Sequence, residues 1–257
     1  MKSGTGERPV AEPRSFATTR WSLILSATGS NTDEQKAREA LAELSRSYWR
    51  PVFLFVSRQG YSMHEAQDIT QDFFVMILES DWFRHADQHR GRFRSFLLRS
   101  VQNFLSHAQE RSRAAKRGGS LEFVSWDEWM AEAPSELTLP TQGIESLSPE
   151  NLFDIRWAAT VAEHALQRLR EECECHGRLR LFETLSRYLA SERGDVSYAG
   201  VSAALGIAET AVKKQLHNLR QRFRWFLRDE VAHTVENPAD IDAEIRYLCS
   251  VLAGVNG

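Results

Sequence analysis

The chain has 257 residues, 42% of them hydrophobic, and a formal net charge of −3. That length and apolar content support one or two domains with real cores, and Cys173, Cys175 and Cys249 are too few for a disulfide framework. The longest apolar run, Phe73 to Leu78, is far below the roughly 20 residues of a membrane span, and with no signal-like leader the expectation is a reduced, cytoplasmic protein.

Residues 1–17 are polar and carry Pro9 and Pro13, which reads as a flexible tail. Thr18 or Thr19 then caps a short helix with Trp21, Leu23, Ile24 and Leu25. A second helix is expected from about Asp33 through Ala37, Ala40, Leu41 and Leu44 toward Trp49. Pro51 should bend or restart it, and Gly60 should stop it. Ser62 caps the next helix, whose buried stripe is Ala66, Ile69, Phe73, Met76 and Ile77. Glu65, Asp68, Gln71 and Asp72 lie on another face. Such a ridge is either plain solvated surface or a docking face for a basic partner.

Trp82 and Phe83 fall in a polar, loop-like stretch before Gly91. They either pack onto the core or offer stacking surfaces to an unpaired base. The helix after Gly91 buries Phe93, Phe96, Leu97, Val101, Phe104 and Leu105. Arg92, Arg94, Arg99, Asn103, Arg111 and Arg113 are expected on its other face, where they either contact phosphate or merely solubilise.

Charge is segregated along the chain. From Arg90 to Arg117 eight Lys or Arg face the lone Glu110, whereas Gly119 to Asp154 holds eight acidic residues and no Lys or Arg. Because fields are screened within roughly 8 to 10 Å, these local balances matter more than the net charge. Proline is absent between Pro51 and Pro134 and again between Pro149 and Pro238, and strand-like alternation is scarce. The expected fold is all-α, with two helical domains joined by an acidic linker.

The most pointed segment comes last. In Tyr198 to Arg224, Val201 and Leu205 sit one turn apart among small residues, Gly206 breaks the helix, and Ile207 folds back. A second helix opens near Ala208 or Glu209, with Val212, Leu216, Leu219 and Phe223 as its buried stripe. Thr210, Lys213, Lys214, His217, Arg220, Arg222 and Arg224 face outward. From Glu209 to Arg228 six Lys or Arg stand against one Glu. This is the spacing of a helix-turn-helix, with DNA as the first partner to consider.

Taken in order, FATTRWSLILSA, YWRPVFLFVSRQGYSMHEAQDITQDFF, RGRFRSFLLRSVQNFL with AAKRGG, the helix-turn-helix, and LRDEVAHTVENPADIDAEIRYL resemble one family. It is the bacterial RNA polymerase sigma factors of the extracytoplasmic-function (ECF) class, in particular the planctomycete-type group. The resemblance implies a tail (1–17), a sigma-2-like domain (18–118), an acidic linker (119–154), a sigma-4-like domain (155–232) and a C-terminal extension (233–257). It implies that Asp68, Gln71 and Asp72 dock on the polymerase beta-prime clamp helices, and that the beta flap is a further contact. Trp82 and Phe83 would lie by the flipped base of the −10 element. Arg92, Arg94, Arg99, Asn103 and Arg111 would hold the melted strand. Thr210, Lys213, Lys214, His217 and Arg220 would read the −35 element, with Arg222 and Arg224 on phosphates. The linker would imitate RNA in the polymerase exit path, or be a plain spacer. An anti-sigma factor is a further candidate partner. Ser202, where many relatives carry Ala, and Glu209 depart from the family's pattern.

No enzymatic or cofactor signature accompanies this. His64-Glu65-Ala66-Gln67-Asp68 has Asp where a zinc protease needs its second His, and Cys173, Cys175 and His176 crowd within one turn. The expectation is a non-enzyme without metal or cofactor. The competing reading is a helix-turn-helix regulator that binds duplex DNA without polymerase.

Overall fold

The structure is a computed structural model and describes residue 21 and residues 31–79, 92–112, 147–190 and 196–254. Among these the secondary structure is helical, apart from one isolated antiparallel bridge between Arg92 and Val235. The all-α expectation therefore holds over the described residues. The tail, Trp82, Phe83 and the acidic connector up to residue 146 lie outside the described residues.

Helix α1 (Asn31–Ser57) carries Pro51 inside it and is kinked at Tyr48 (φ −120°, ψ 24°), because proline removes a backbone donor and crowds the preceding turn. Gly60, with φ +88°, ends the following turn in a conformation that a side chain would disfavour. Helix α2 (Met63–Glu79) starts with a capping box. The Glu65 carboxylate accepts from the Ser62 backbone N–H at 2.9 Å and from its hydroxyl at 2.7 Å, while the Ser62 hydroxyl accepts from the Glu65 N–H at 3.3 Å. Helix α3 (Phe93–Ser112) completes the N-terminal group.

Helix α4 (Pro149–Cys175) is capped by Ser148, which accepts from the Asn151 N–H at 3.2 Å, with Pro149 in the first turn. It is followed by α5 (Leu179–Leu185), α6 (Tyr198–Leu205), α7 (Glu209–Ala232) and α8 (Ile241–Ala253). No helix among the described residues is long and apolar enough to cross a membrane.

Two apolar cores share α4 as a spine. The first gathers α1, α2 and α3 with Trp21, and takes Phe153, Trp157, Ala158 and Val161 from the first half of α4. Tyr48 stacks on Trp157 at 4.1 Å between ring centroids, within an aromatic group that includes Phe93 and Phe153. The second core takes Ala165, Leu169 and Cys173 from the same helix and packs them against α5, α6 and α7. The division between cores thus falls inside α4, between Val161 and Ala165. Val231, Val235, Ile241 and Leu248, from the end of α7 onward, return to the first core. The backbone reinforces that return: the N–H of Trp21 donates to the His233 carbonyl and that of Phe93 to the Thr234 carbonyl.

Candidate nucleic-acid interface

Helices α6 and α7 meet through a turn built on Gly206, whose φ of +68° is left-handed. Its N–H and that of Ile207 both donate to the Ser202 carbonyl, at 2.9 and 3.3 Å. The Ser202 hydroxyl donates to the Ile207 carbonyl at 2.6 Å, so a polar side chain of α6 closes the turn itself. Arg180 of α5 donates to the Ala204 carbonyl at 2.7 Å, occupying an acceptor that the end of α6 would otherwise leave open. Val212, Leu216 and Leu219 are buried as the spacing predicts, and Phe223 packs partly buried against them.

With that stripe inward, α7 presents one exposed ridge. Thr210, Lys213, Lys214, His217, Gln221 and Arg224 all face solvent. The Lys213 ammonium stands 5.0 Å from the centre of the Tyr198 ring, which steadies it at the mouth of the motif. Two expected members of the ridge point elsewhere. Arg220 is partly buried and donates to the Tyr188 carbonyl at 2.8 Å. Arg222 makes a two-pronged pair with Glu172 of α4 (2.8 and 2.5 Å) and lies over Trp225 and Phe226. These arginines bind α7 to its neighbours rather than facing a ligand. Arg168 does the same from α4, reaching Asp229 and Glu230 at 2.8 Å each.

The acidic ridge of α2 is also divided. Glu65 belongs to the cap, whereas Asp68 and Asp72 are exposed and Gln71 half-buried. Partial burial, and then the Asp68 carboxylate one turn away, push the Asp72 carboxyl above its ordinary range. The two acids therefore stand together at a small cost to the fold. Met63, at the start of the same helix, is 64% exposed.

On α3, Arg99 and Asn103 face solvent as expected. Arg94 does not: it is 8% exposed and belongs to the inner face, in phase with Leu97 and Val101. Its Nε donates to Glu244 of α8 at 2.9 Å, its Nη1 pairs with Asp154 of α4, and its guanidinium lies 4.4 Å from the centre of the Tyr247 ring. The Tyr247 hydroxyl donates to the other Asp154 oxygen. Arg92 reaches the second Glu244 oxygen at 2.9 Å. Burial works against the Arg94 charge, but the Glu244 hydrogen bond and the nearby carboxylates outweigh it and raise its pKa. Trp82, Phe83 and the side chain of Arg111 lie outside the described residues.

Sequence reasoning missed Glu244, Asp154, Tyr247 and Glu172. One signal was available for the first: Glu244 sits in phase with Ile241 and Leu248, so it is an acid on an apolar stripe, and such a position calls for a buried cation. Comparison of the chain with family models, curated proteins and solved structures gives no match.

Proposed function

We propose that the protein is a sigma factor, which binds core RNA polymerase and directs promoter recognition, DNA melting and transcription initiation. The observation that carries this reading is the exposed carboxylates of Asp68 and Asp72, one helical turn apart on α2, kept together although partial burial and the Asp68 charge raise the Asp72 carboxyl. A duplex-binding regulator has no use for that pair, whereas a polymerase-docking helix needs a fixed anionic face for a basic partner. The exposed ridge of α7 supplies the other half. In this reading the exposed Thr210, Lys213, Lys214 and His217 enter a major groove and the exposed Arg224 touches the backbone. Arg220 and Arg222 are left out of the contact set, because each is engaged within the protein. Arg99 and Asn103 remain candidates for the melted strand, since both are exposed.

One observation favours the rival, a regulator of duplex DNA alone: Arg92 and Arg94 are closed onto Glu244, which leaves α7 as the more open cationic surface among the described residues. Mixing the purified protein with core polymerase and a promoter library separates the two. The sigma reading expects a holoenzyme that selects start sites. Duplex binding without holoenzyme formation would establish the rival.

A further inference from the structure

The C-terminal helix α8 does two things at once. Its Ile241 and Leu248 side chains enter the first core, with Ile245, Tyr247, Val251 and Leu252 partly buried beside them. Between the two anchors it drives a carboxylate, Glu244, which is 1% exposed, onto Arg94 of α3 and Arg92 just before that helix. A buried carboxylate is costly unless its partners are cationic. Arg94 Nε donates to one Glu244 oxygen at 2.9 Å, whereas an Arg92 nitrogen stands 2.9 Å from the other as an ion pair without hydrogen-bond geometry, so that oxygen is short of a donor. Two guanidinium groups converging on two anionic oxygens is also the arrangement that grips a phosphate.

We propose that α8 is an autoinhibitory clasp whose Glu244 occupies, in cis, the site where Arg92 and Arg94 would hold the phosphate backbone of a single strand. The proposal rests on the sigma reading of α3. Glu236, Asn237, Pro238 and Ala239, just before α8, are exposed, whereas Thr234 and Val235 are buried. In this proposal the helix swings about the exposed turn at residues 236–240, releasing the Arg228–Asp242 pair to α7, while the 233–235 segment stays paired with Arg92 and Phe93. Nucleic-acid phosphate competes for the arginines, and α8 leaves as the strand enters. Asp154 stays with Arg94, since it comes from α4, and Tyr247 leaves with the clasp.

Two measurements test this. In the first, hydrogen exchange is followed in the wild-type full chain, alone and with core polymerase and promoter DNA. Exchange within residues 241–253 is expected to rise on the order of tenfold in the complex while that of α1 is unchanged. A holoenzyme in which α8 stays as protected as in the free chain overturns the clasp and leaves the sigma reading standing. The second compares binding of a single-stranded oligonucleotide to the wild type and to Glu244→Gln by fluorescence anisotropy over a range of salt. Because Arg94 keeps Asp154, Arg92 is the cation set free, and at about 0.7 it steepens the log–log slope by about 0.7, a gain of roughly fivefold between 1 M and 0.1 M salt. An unaltered slope in a variant with native circular dichroism, or no strand binding by either protein, overturns the clasp. Should Glu244→Gln not fold, the wild-type exchange experiment decides alone.

Discussion

Replacing Lys213 and Lys214 together with Ala tests the α7 ridge most directly. Both side chains are exposed, and the Lys213 ammonium is already steadied over Tyr198 at 5.0 Å, so neither needs rearrangement to meet a phosphate. Each phosphate neutralised on duplex DNA contributes about 0.9 to the slope of log K against log salt, so the double variant should lose about 1.8. Over a fourfold change in salt that difference amounts to roughly 12-fold. Should one lysine touch a guanine edge instead, the slope falls by about 0.9 and discrimination at one base drops by about 1 to 3 kcal/mol. The assay is fluorescence anisotropy on a duplex selected from a random library, between 50 and 200 mM salt, each concentration being about what resolves such slopes. Arg222→Ala is the internal comparison. Its guanidinium pairs with Glu172 across a half-exposed contact, so it should cost under about 1 kcal/mol of stability and leave the slope nearly unchanged. An unaltered slope in the lysine double variant would refute the placement of this ridge on DNA, and a large slope change in Arg222→Ala would refute the structural role of that arginine.

Gly206→Ala should cost about 1 to 2 kcal/mol, because φ is +68° and only the backbone conformation, not crowding, opposes a methyl group there. Calorimetry should show Tm lower by about 2 to 4 °C per kcal/mol, and an unchanged Tm would contradict the left-handed turn. Asp68→Ala should weaken binding to core polymerase and leave duplex binding intact. Asp72→Asn should do the same while raising stability by about a few tenths of a kcal/mol at neutral pH. The Asp72 carboxyl is raised in the folded state, so its ionised form carries a penalty above the ordinary carboxylate range that disappears as pH falls. Equal polymerase affinity in both variants and the wild type would remove the docking assignment. Glu230 behaves in the opposite way. Burial pushes its carboxyl up, but His164 and Arg168 together outweigh burial and hold it low. Its contribution is present above the unfolded carboxylate value of about 4.3 and is lost as pH falls through the lower folded value. Melting curves of Glu230→Gln against the wild type should therefore converge at acid pH, and a constant gap would refute the linkage.

The features legible beforehand are those whose cause lies within one or two helical turns. Ser62 with Glu65 forms a cap because the two groups are three residues apart. Pro51 kinks α1, and Gly60 and Gly206 end their turns, because each effect comes from the residue's own backbone. The Val212, Leu216 and Leu219 stripe follows from helical periodicity alone, and it decides which residues of α7 are left to face solvent. Arg99, Asn103, Lys213 and Lys214 were accordingly placed correctly on open faces.

By itself, then, the sequence determined the helical class, the helix-turn-helix, and the ridges of charge on α2 and α7, all of which follow from short-range spacing. Tertiary structure decided which charges remain available. Arg94 and Glu244 are 150 residues apart and Arg222 and Glu172 are 50 apart, yet each pair is in direct contact. No local pattern specifies such a pairing, because it depends on how α4 aligns two cores and on where α8 comes to rest. A cation on an exposed-looking helix face is a ligand contact or a structural tie according to the carboxylate that packing brings to it. For Arg92, Arg94 and Arg222 that carboxylate comes from another helix of the same chain.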